Sequence, residues 1–234
     1  MAKMVGLSRA IKMEWLNRSV SYVLEGYKDT EIKDMLNEYL SFEIESPTVL
    51  RKTREILMNI WVYPIEGAED IRKVALDAYK IEKSNKLALH WCMLLLAYPI
   101  FSDITGLIGK LSTIQDTFTT GWLREKIYEE WGERATLLHS SAKLLQILVY
   151  LGAIERVKTG VYRIRQYPVF ESETIRVIVM TALALRLKAY YELTEIPNIP
   201  QFYPFVFDVT HEWIYSTGYF QLTNFGGKAV LMEE

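Results

Sequence analysis

The sequence predicts a mainly α-helical fold, in which an N-terminal helical bundle precedes smaller segments that mix helices with short strands. Apolar residues recur at three- and four-residue spacing through the first hundred residues, which is the period of a helix with one buried face. Short alternating runs bounded by glycine, the signal of hairpins, follow after residue 150. Because half of the 234 residues are hydrophobic, the chain can also bury a sizeable core.

Helix signals follow one another through residues 1–98, which we interpret as the helical bundle. Gly26 stops the first helical pattern. Ser46 and Pro47 place a capping hydroxyl directly before a proline at the first helical position, which is a strong signal for a helix start. The predicted helices cover residues 8–26, 29 or 30 to 40, 47–62, 68–82 and 84–98.

Residues 99–168 show a different order of elements. A helix capped by Thr119 or Thr120 ends at Gly132, and two short strands meet at a Lys-Thr-Gly turn that ends at Gly160. The predicted elements are helices over 100–113, 121–131 and 133–151, then a hairpin over 153–165. Two helices, a one-glycine turn, a longer helix and a basic hairpin are the order of a winged helix-turn-helix.

Residues 169–234 are predicted to form a C-terminal helix and hairpin region. A long helix is expected over 172–193 and a short one over 208–216, followed by a hairpin that turns at Gly226 and Gly227. The hairpin has two interpretations, a degenerate second wing or part of an interface. The region is rich in aromatic residues, which either fill a core or form a protein interface, including one that joins two copies of this chain.

The charge of the chain is nearly balanced, with 27 basic against 29 acidic residues, which excludes binding to nucleic acid by overall charge. Residues 99–168 carry 9 basic and 7 acidic side chains, whereas residues 169–234 carry 4 and 8. A phosphate backbone would repel the acidic C-terminal region. We therefore expect DNA to meet the middle of the chain and a protein partner to meet its end.

The predicted helix over 133–151 is the candidate recognition helix. If Leu137, Leu138, Ala142, Leu145, Leu148 and Leu151 pack inward, the outer side carries Arg134, Thr136, His139, Ser140, Lys143 and Gln146. Such side chains can contact base edges or phosphates in a major groove. The alternative is an ordinary solvated helix face.

The hairpin that follows adds four basic residues. Arg163 and Arg165 alternate with apolar neighbours, and Arg156 and Lys158 lie on the neighbouring strand and turn. In a wing, this pattern is suited to phosphate or minor-groove contacts. The alternative is an edge hairpin that uses charge to prevent aggregation. A second basic group, Arg51, Lys52 and Arg54, follows the Ser46 cap and is either a phosphate contact or a solvated helix face.

Catalytic, metal and cofactor signals are weak throughout the sequence, so we predict no enzyme activity, no metal site and no cofactor. The three histidines lie far apart, and His90 falls in the most apolar segment, where a core role is expected. Cys92 is the single cysteine, which excludes an intrachain disulfide. Gly106 to Lys110 resembles a phosphate loop, but the spacing of its glycines is wrong.

The longest apolar stretch, Leu87–Phe101, is interrupted by His90 and Pro99 and is shorter than the roughly 20 residues that a spanning helix needs. We therefore interpret it as a buried core helix. The N-terminus shows no secretion signal. These features predict a soluble, cytoplasmic protein without membrane contact.

Parts of residues 10–170 resemble bacterial proteins related to the BrxA proteins of BREX phage-defence systems. The resemblance is carried by Glu14-Trp15-Leu16, Thr53-Arg54 with Ile60-Trp61, Tyr98-Pro99, and Trp131-Gly132-Glu133-Arg134. It implies a small, non-enzymatic, helical protein with winged-helix character that binds DNA within a multi-protein defence system. Some descriptions of that family name an inner-membrane protein, against which the proline-broken apolar segment argues.

These observations together predict a non-enzymatic protein that binds duplex DNA, alongside other proteins of a phage-defence or regulatory assembly. The alternative is a protein-interaction scaffold that uses its winged helix for contacts with partner proteins. In that case the acidic, aromatic C-terminal region would be the binding surface.

Overall fold

A computed structural model describes residues 6–81, 84–133 and 135–232, without the side chains of residues 135, 136, 138 and 139. The α-helices of this part are α1 Met13–Leu24, α2 Asp29–Ser41, α3 Pro47–Trp61, α4 Glu69–Tyr79, α5 Lys86–Ala97, α6 Pro99–Ser112, α7 Thr120–Trp131, α8 Ala135–Tyr150, α9 Ser172–Ala184 and α10 His211–Thr217. The strands are β1 Thr117–Thr119, β2 Ile154–Lys158, β3 Val161–Ile164, β4 Tyr167–Pro168, β5 Tyr191–Glu192, β6 Phe205–Val206, β7 Thr223–Phe225 and β8 Lys228–Leu231. The chain is therefore mainly helical, as predicted, and its strands are short.

The helix starts follow the capping signals of the sequence. The Ser46 side chain accepts a hydrogen bond from the backbone N–H of Val49, and Pro47 opens α3. Thr119 caps α7 by accepting from the N–H of Trp122. Gly132, at φ +75°, ends α7 in a conformation that disfavours other residues. These local rules explain why most predicted helices are present within a few residues of their predicted ends.

The long helix predicted over 172–193 is wrong in its second half. Helix α9 ends at Ala184, and Arg186 adopts a left-handed conformation at φ +48° that redirects the chain toward β5. Leu187 and Tyr190 continue the apolar period of the sequence past this point, but residues 186–190 are exposed, and the chain returns to the core only at Tyr191 of β5. The first helix is also shorter than predicted, since α1 begins at Met13 rather than near residue 8.

Residues 99–164 follow the order α6, β1, α7, α8, β2, β3. Strand β3 lies in the middle of an antiparallel sheet of order β1-β3-β2, in which Thr117 and Glu155 both face Arg163. The pairing of β2 with β3 shifts in register between Arg156 and Lys158. The hairpin was predicted, but β1 was not, because three residues are too short to show a period.

The C-terminal part contains two further small sheets. Strands β4 and β6 pair in parallel, and β5, β8 and β7 form an antiparallel sheet with β8 in the middle. This second three-stranded sheet repeats the strand order of the first, since in both the last strand of the chain lies between the other two. The predicted turn at Gly226 and Gly227 joins β7 to β8.

Helix α5 lies at the centre of the core and contacts α3, α4, α6 and α9. Trp91 of α5 is fully buried against Phe101, Tyr203 and Phe205, and its indole N–H donates to the Gln201 carbonyl at 2.8 Å. The stretch expected to be a buried core helix is thus buried, and the chain bends at Pro99. In the part of the chain described here, no single helix is long and apolar enough to cross a membrane. Helices α5 and α6 have the required length and hydropathy only when taken together, and they are bent by 119° relative to each other.

The glycines that resemble a phosphate loop serve packing instead. A 3₁₀ segment, Pro200–Phe202, lies directly on α6. A Cβ atom at Gly109 would stand 1.9 Å from the Pro200 carbonyl oxygen, and one at Gly106 would stand 2.7 Å from the Gln201 amide nitrogen. The two glycines therefore allow the close approach of this segment to α6.

Candidate nucleic-acid interface

Helix α8 is the candidate recognition helix, and the structure corrects its orientation. Leu137, Leu145, Leu148 and Leu151 are buried as expected. Ser140, expected on the outer side, is wrongly placed by the sequence argument, because it is only 6% exposed. Ala142, expected inward, is exposed.

The physical reason is the breadth of the buried arc of α8. The buried arc is centred on Leu137, Leu144 and Leu148, and it is wide enough to include Ser140 and Ser141. Ser140 was assigned outward because of its polarity, although a small hydroxyl can be buried when it finds a backbone partner.

The open face of α8 includes two of the predicted contact residues, Lys143 and Gln146, which are both partly exposed. The Gln146 side-chain amide donates to the Tyr150 hydroxyl at 2.7 Å. Among the described residues, Lys143 has no hydrogen-bond or ion-pair partner. Arg134 and the side chains of Thr136 and His139 lie outside the described residues.

The β2–β3 hairpin has two different faces. On the inner face, Tyr162 stacks on the buried ring of Phe118 with centroids 5.7 Å apart, and Phe118 also contacts Trp122 of α7. Ile154 on the same face is buried. This face therefore anchors the hairpin to the helices, as the predicted alternation of apolar and basic residues requires.

The outer face of the hairpin carries Arg163 and Arg165, and both are already paired. One carboxylate oxygen of Glu155 accepts a hydrogen bond from the Arg163 guanidinium at 2.9 Å, and the other accepts one from Arg165 at 2.5 Å. Asp116 lies 3.8 Å from Arg163. The sequence shows four bases and one acid, Glu155, in this hairpin, but only the strand pairing places that acid within reach of both arginines.

The other two hairpin cations lie toward the tip. Arg156 is exposed, pairs in register with Tyr162, and is close to the Thr159 hydroxyl at 3.5 Å. Lys158 is exposed and has no ion-pair partner in the described part of the chain. Val157 between them is 48% exposed, which is high for an aliphatic side chain. The tip of the hairpin thus protrudes with two available positive charges.

Three carboxylates precede α8 in the chain, two in the last turn of α7 and one in the turn that follows it. Glu129, Glu130 and Glu133 are exposed there, and Glu129 is paired with Lys126 at 2.8 Å. This acidic end would disfavour a phosphate near the first turn of α8. In the described parts of α8 and the hairpin, the cations without an acidic partner are Lys143, Arg156 and Lys158.

The second basic group, Arg51, Lys52 and Arg54, also contains both paired and unpaired cations within the described part of the chain. Arg54 is held by the Asn37 side-chain oxygen at 2.9 Å and by Glu55 at 2.5 Å, so its guanidinium is largely occupied. Arg51 and Lys52 are exposed and line a small cavity of about 290 Å³ together with Glu55. The carboxylate in this cavity reduces its attraction for an anion.

The histidines do not form a catalytic or metal-binding group among the described residues. His90 is fully buried, and burial lowers its pKa to about 3. His211 is exposed on α10 and stacks on Tyr215. No group of three or more potential metal ligands occurs in the described ranges.

Comparison with protein-family models, with curated proteins and with solved structures gives no significant match for this chain.

Proposed function

We propose that this protein binds duplex DNA through the open face of α8 and the tip of the β2–β3 hairpin, with residues 99–168 acting as a winged helix-turn-helix. The observation that supports this most directly is the element order α6-β1-α7-α8-β2-β3 together with the strand order β1-β3-β2. In winged helices, a helix in the position of α8 enters the major groove and the hairpin contacts the flanking backbone.

The distribution of free charge supports the same surface. Lys143, Arg156 and Lys158 have no acidic partner among the described residues, whereas Arg163 and Arg165 do. Three unpaired cations can neutralise about three phosphates, which gives moderate and salt-dependent affinity. Gln146 is tied to Tyr150 and Ser140 is buried, so few of the described side chains on this face remain to read base edges. We therefore propose binding with weak sequence preference.

The test is a fluorescence anisotropy titration of labelled duplex DNA at low salt. Replacing Lys143, Arg156 and Lys158 together by alanine should weaken binding at least about tenfold, because each lost phosphate contact removes counterion release. The matched control replaces Arg18, Lys28 and Lys73, which are exposed outside residues 99–168 and give the same change in net charge. Equal affinities of the two triple variants would contradict the proposal.

A second candidate function, a protein-interaction scaffold, is favoured by exposed aromatic rings in the C-terminal part. Tyr215 on α10 is 75% exposed, and Phe225 at the end of β7 is 52% exposed and contacts Tyr190. Aromatic side chains contribute strongly to protein interfaces. Replacing Tyr215 and Phe225 by serine should leave DNA binding unchanged and, under this function, abolish association with a partner protein or a second copy.

A phage-defence setting remains part of the proposal through the resemblance of residues 10–170 to the BrxA-like family. In that setting, DNA binding by residues 99–168 would bring partner proteins to DNA through the C-terminal region. Co-purification of the wild-type chain and the Tyr215 and Phe225 variant with the products of neighbouring genes tests this setting directly.

A further inference from the structure

The outer face of the β1-β3-β2 sheet carries an arginine pair whose arrangement is suited to a phosphate. Arg163 lies on β3, and Arg165 follows one residue after its end, where its backbone N–H donates to the Ala153 carbonyl at 3.0 Å. Because the two arginines are two positions apart in extended chain, both side chains lie on the same face. Their guanidinium groups converge on one carboxylate, that of Glu155, and each binds a different oxygen of it. Thr117, which faces Arg163 from β1, places a hydroxyl side chain on this face as well.

We propose that this arginine pair is a phosphate-binding site for the DNA backbone, which Glu155 occupies in the free protein and leaves when a phosphodiester binds. The inference deepens the proposed DNA-binding function and rests on it. A carboxylate and a phosphate both offer two oxygens to a guanidinium fork, so Glu155 resembles the ligand it competes with. The site contributes as many as two phosphate contacts in addition to those of the hairpin tip.

The energetics allow the exchange. The side chains of Arg163, Arg165 and Glu155 are 47%, 50% and 36% exposed, so water screens both ion pairs with Glu155. The longer pair of Arg163 with Asp116, at 3.8 Å, is screened as well, because Asp116 is 77% exposed. Exposed ion pairs of this kind contribute little to stability, so a phosphate in a bound duplex can replace them. For the same reason, removal of the Glu155 charge should leave the fold intact.

The test compares Glu155→Gln with Glu192→Gln. Glu192 forms a single cross-strand ion pair with Lys228 in the second sheet, at 2.5 Å and with 35% exposure, so the control matches in exposure and in the change of net charge. We expect Glu155→Gln to bind labelled duplex DNA about tenfold more tightly than wild type at low salt. The slope of log K against log salt should steepen by up to about 1.8, which corresponds to two more phosphates. Glu192→Gln should stay within about twofold of wild type.

A further variant tests whether the gain in DNA affinity depends on the two arginines. Adding Arg163→Ala and Arg165→Ala to Glu155→Gln should return the affinity to the wild-type value or below it. If wild type binds DNA but Glu155→Gln binds no more tightly than Glu192→Gln, the arginine pair is an ordinary surface ion pair and this inference fails alone. If neither wild type nor any variant binds DNA, the proposed function fails with it.

A competition experiment separates the DNA backbone from a free anion as the ligand. Inorganic phosphate at a few millimolar should not displace DNA from the Glu155→Gln variant, since the duplex offers several linked contacts. Displacement at that concentration, without the same effect on Glu192→Gln, would identify a site for the isolated anion and overturn the assignment to the DNA backbone.

Discussion

The indole N–H of Trp61 donates a hydrogen bond to Nδ1 of His90 over 3.0 Å in the fully buried core. Because an indole can only donate, Nδ1 must be unprotonated, and the ring proton lies on Nε2. That nitrogen is 2.9 Å from the Asn17 side-chain oxygen, which also accepts from the Tyr79 hydroxyl at 2.7 Å. His90 is therefore a neutral, fully hydrogen-bonded core residue that links α1, α3, α4 and α5.

This network predicts how stability depends on pH. Burial lowers the pKa of His90 from 6.5 to about 3, so below pH 6.5 the unfolded chain takes up a proton that the folded protein does not. His90 should therefore lower the free energy of unfolding by about 1.4 kcal/mol for each pH unit between about pH 6 and pH 4. Urea unfolding at several pH values measures this slope.

The variant His90→Gln keeps a donor and an acceptor but does not titrate. We expect it to lose about 1 to 3 kcal/mol of stability at pH 7 and to show a flatter pH dependence below pH 6. His211→Gln, at an exposed histidine, is the control for the loss of one imidazole outside the core. Parallel curves for wild type and His90→Gln would contradict the assignment of this slope to His90.

Because the 3₁₀ segment lies so close to α6, we expect one methyl group added at Gly109 to lower the stability of the fold strongly. Gly109→Ala would place its Cβ atom against the backbone oxygen of Pro200, which cannot move without displacing the segment. We expect a loss of about 2 kcal/mol or more. The control is Gly121→Ala in α7, where the nearest atom lies 3.8 Å away; it should be neutral or stabilise by up to about 1 kcal/mol. Denaturant unfolding of both variants distinguishes the two outcomes.

Cys92 should be chemically inert in the folded protein. It is fully buried in α5, and burial raises the pKa of its thiol to about 12, so the reactive thiolate is scarce at neutral pH. A thiol reagent should label the native protein at the rate of global unfolding and the denatured protein at once. Rapid labelling of the native protein would show that the core around α5 opens locally.

Removal of residues 196–234 should prevent folding rather than delete an interface. Phe202, Tyr203, Phe205 and Phe207 are buried, and the Gln201 carbonyl is the partner of the Trp91 indole. Loss of several buried aromatic rings costs about 3 kcal/mol or more for each, which exceeds the stability of most domains. Circular dichroism and solubility of the truncated chain test this, and a soluble, helical product would show that α5 does not depend on these residues.

Much of the secondary structure follows from local signals in the sequence. The Ser46-Pro47 start, the Thr119 cap and the Gly132 stop each act within one helical turn, so the printed residues predict them. The hairpin turns at Gly160 and at Gly226-Gly227 are local in the same sense. The three-residue strand β1 and the early end of α9 depend on pairing and packing with distant residues, which no local pattern shows.

The sequence by itself determined a mainly helical chain, with a leucine-backed helix before a basic hairpin, because helical period and turn residues act over short distances. Tertiary structure decided which charges are available, since strand register set Glu155 between Arg163 and Arg165 and left Arg156 and Lys158 at the tip. It also decided that Ser140 is buried and that Gly109 contacts a backbone oxygen. Pairing and burial are relations between residues far apart in the chain, and only the folded arrangement brings those residues together.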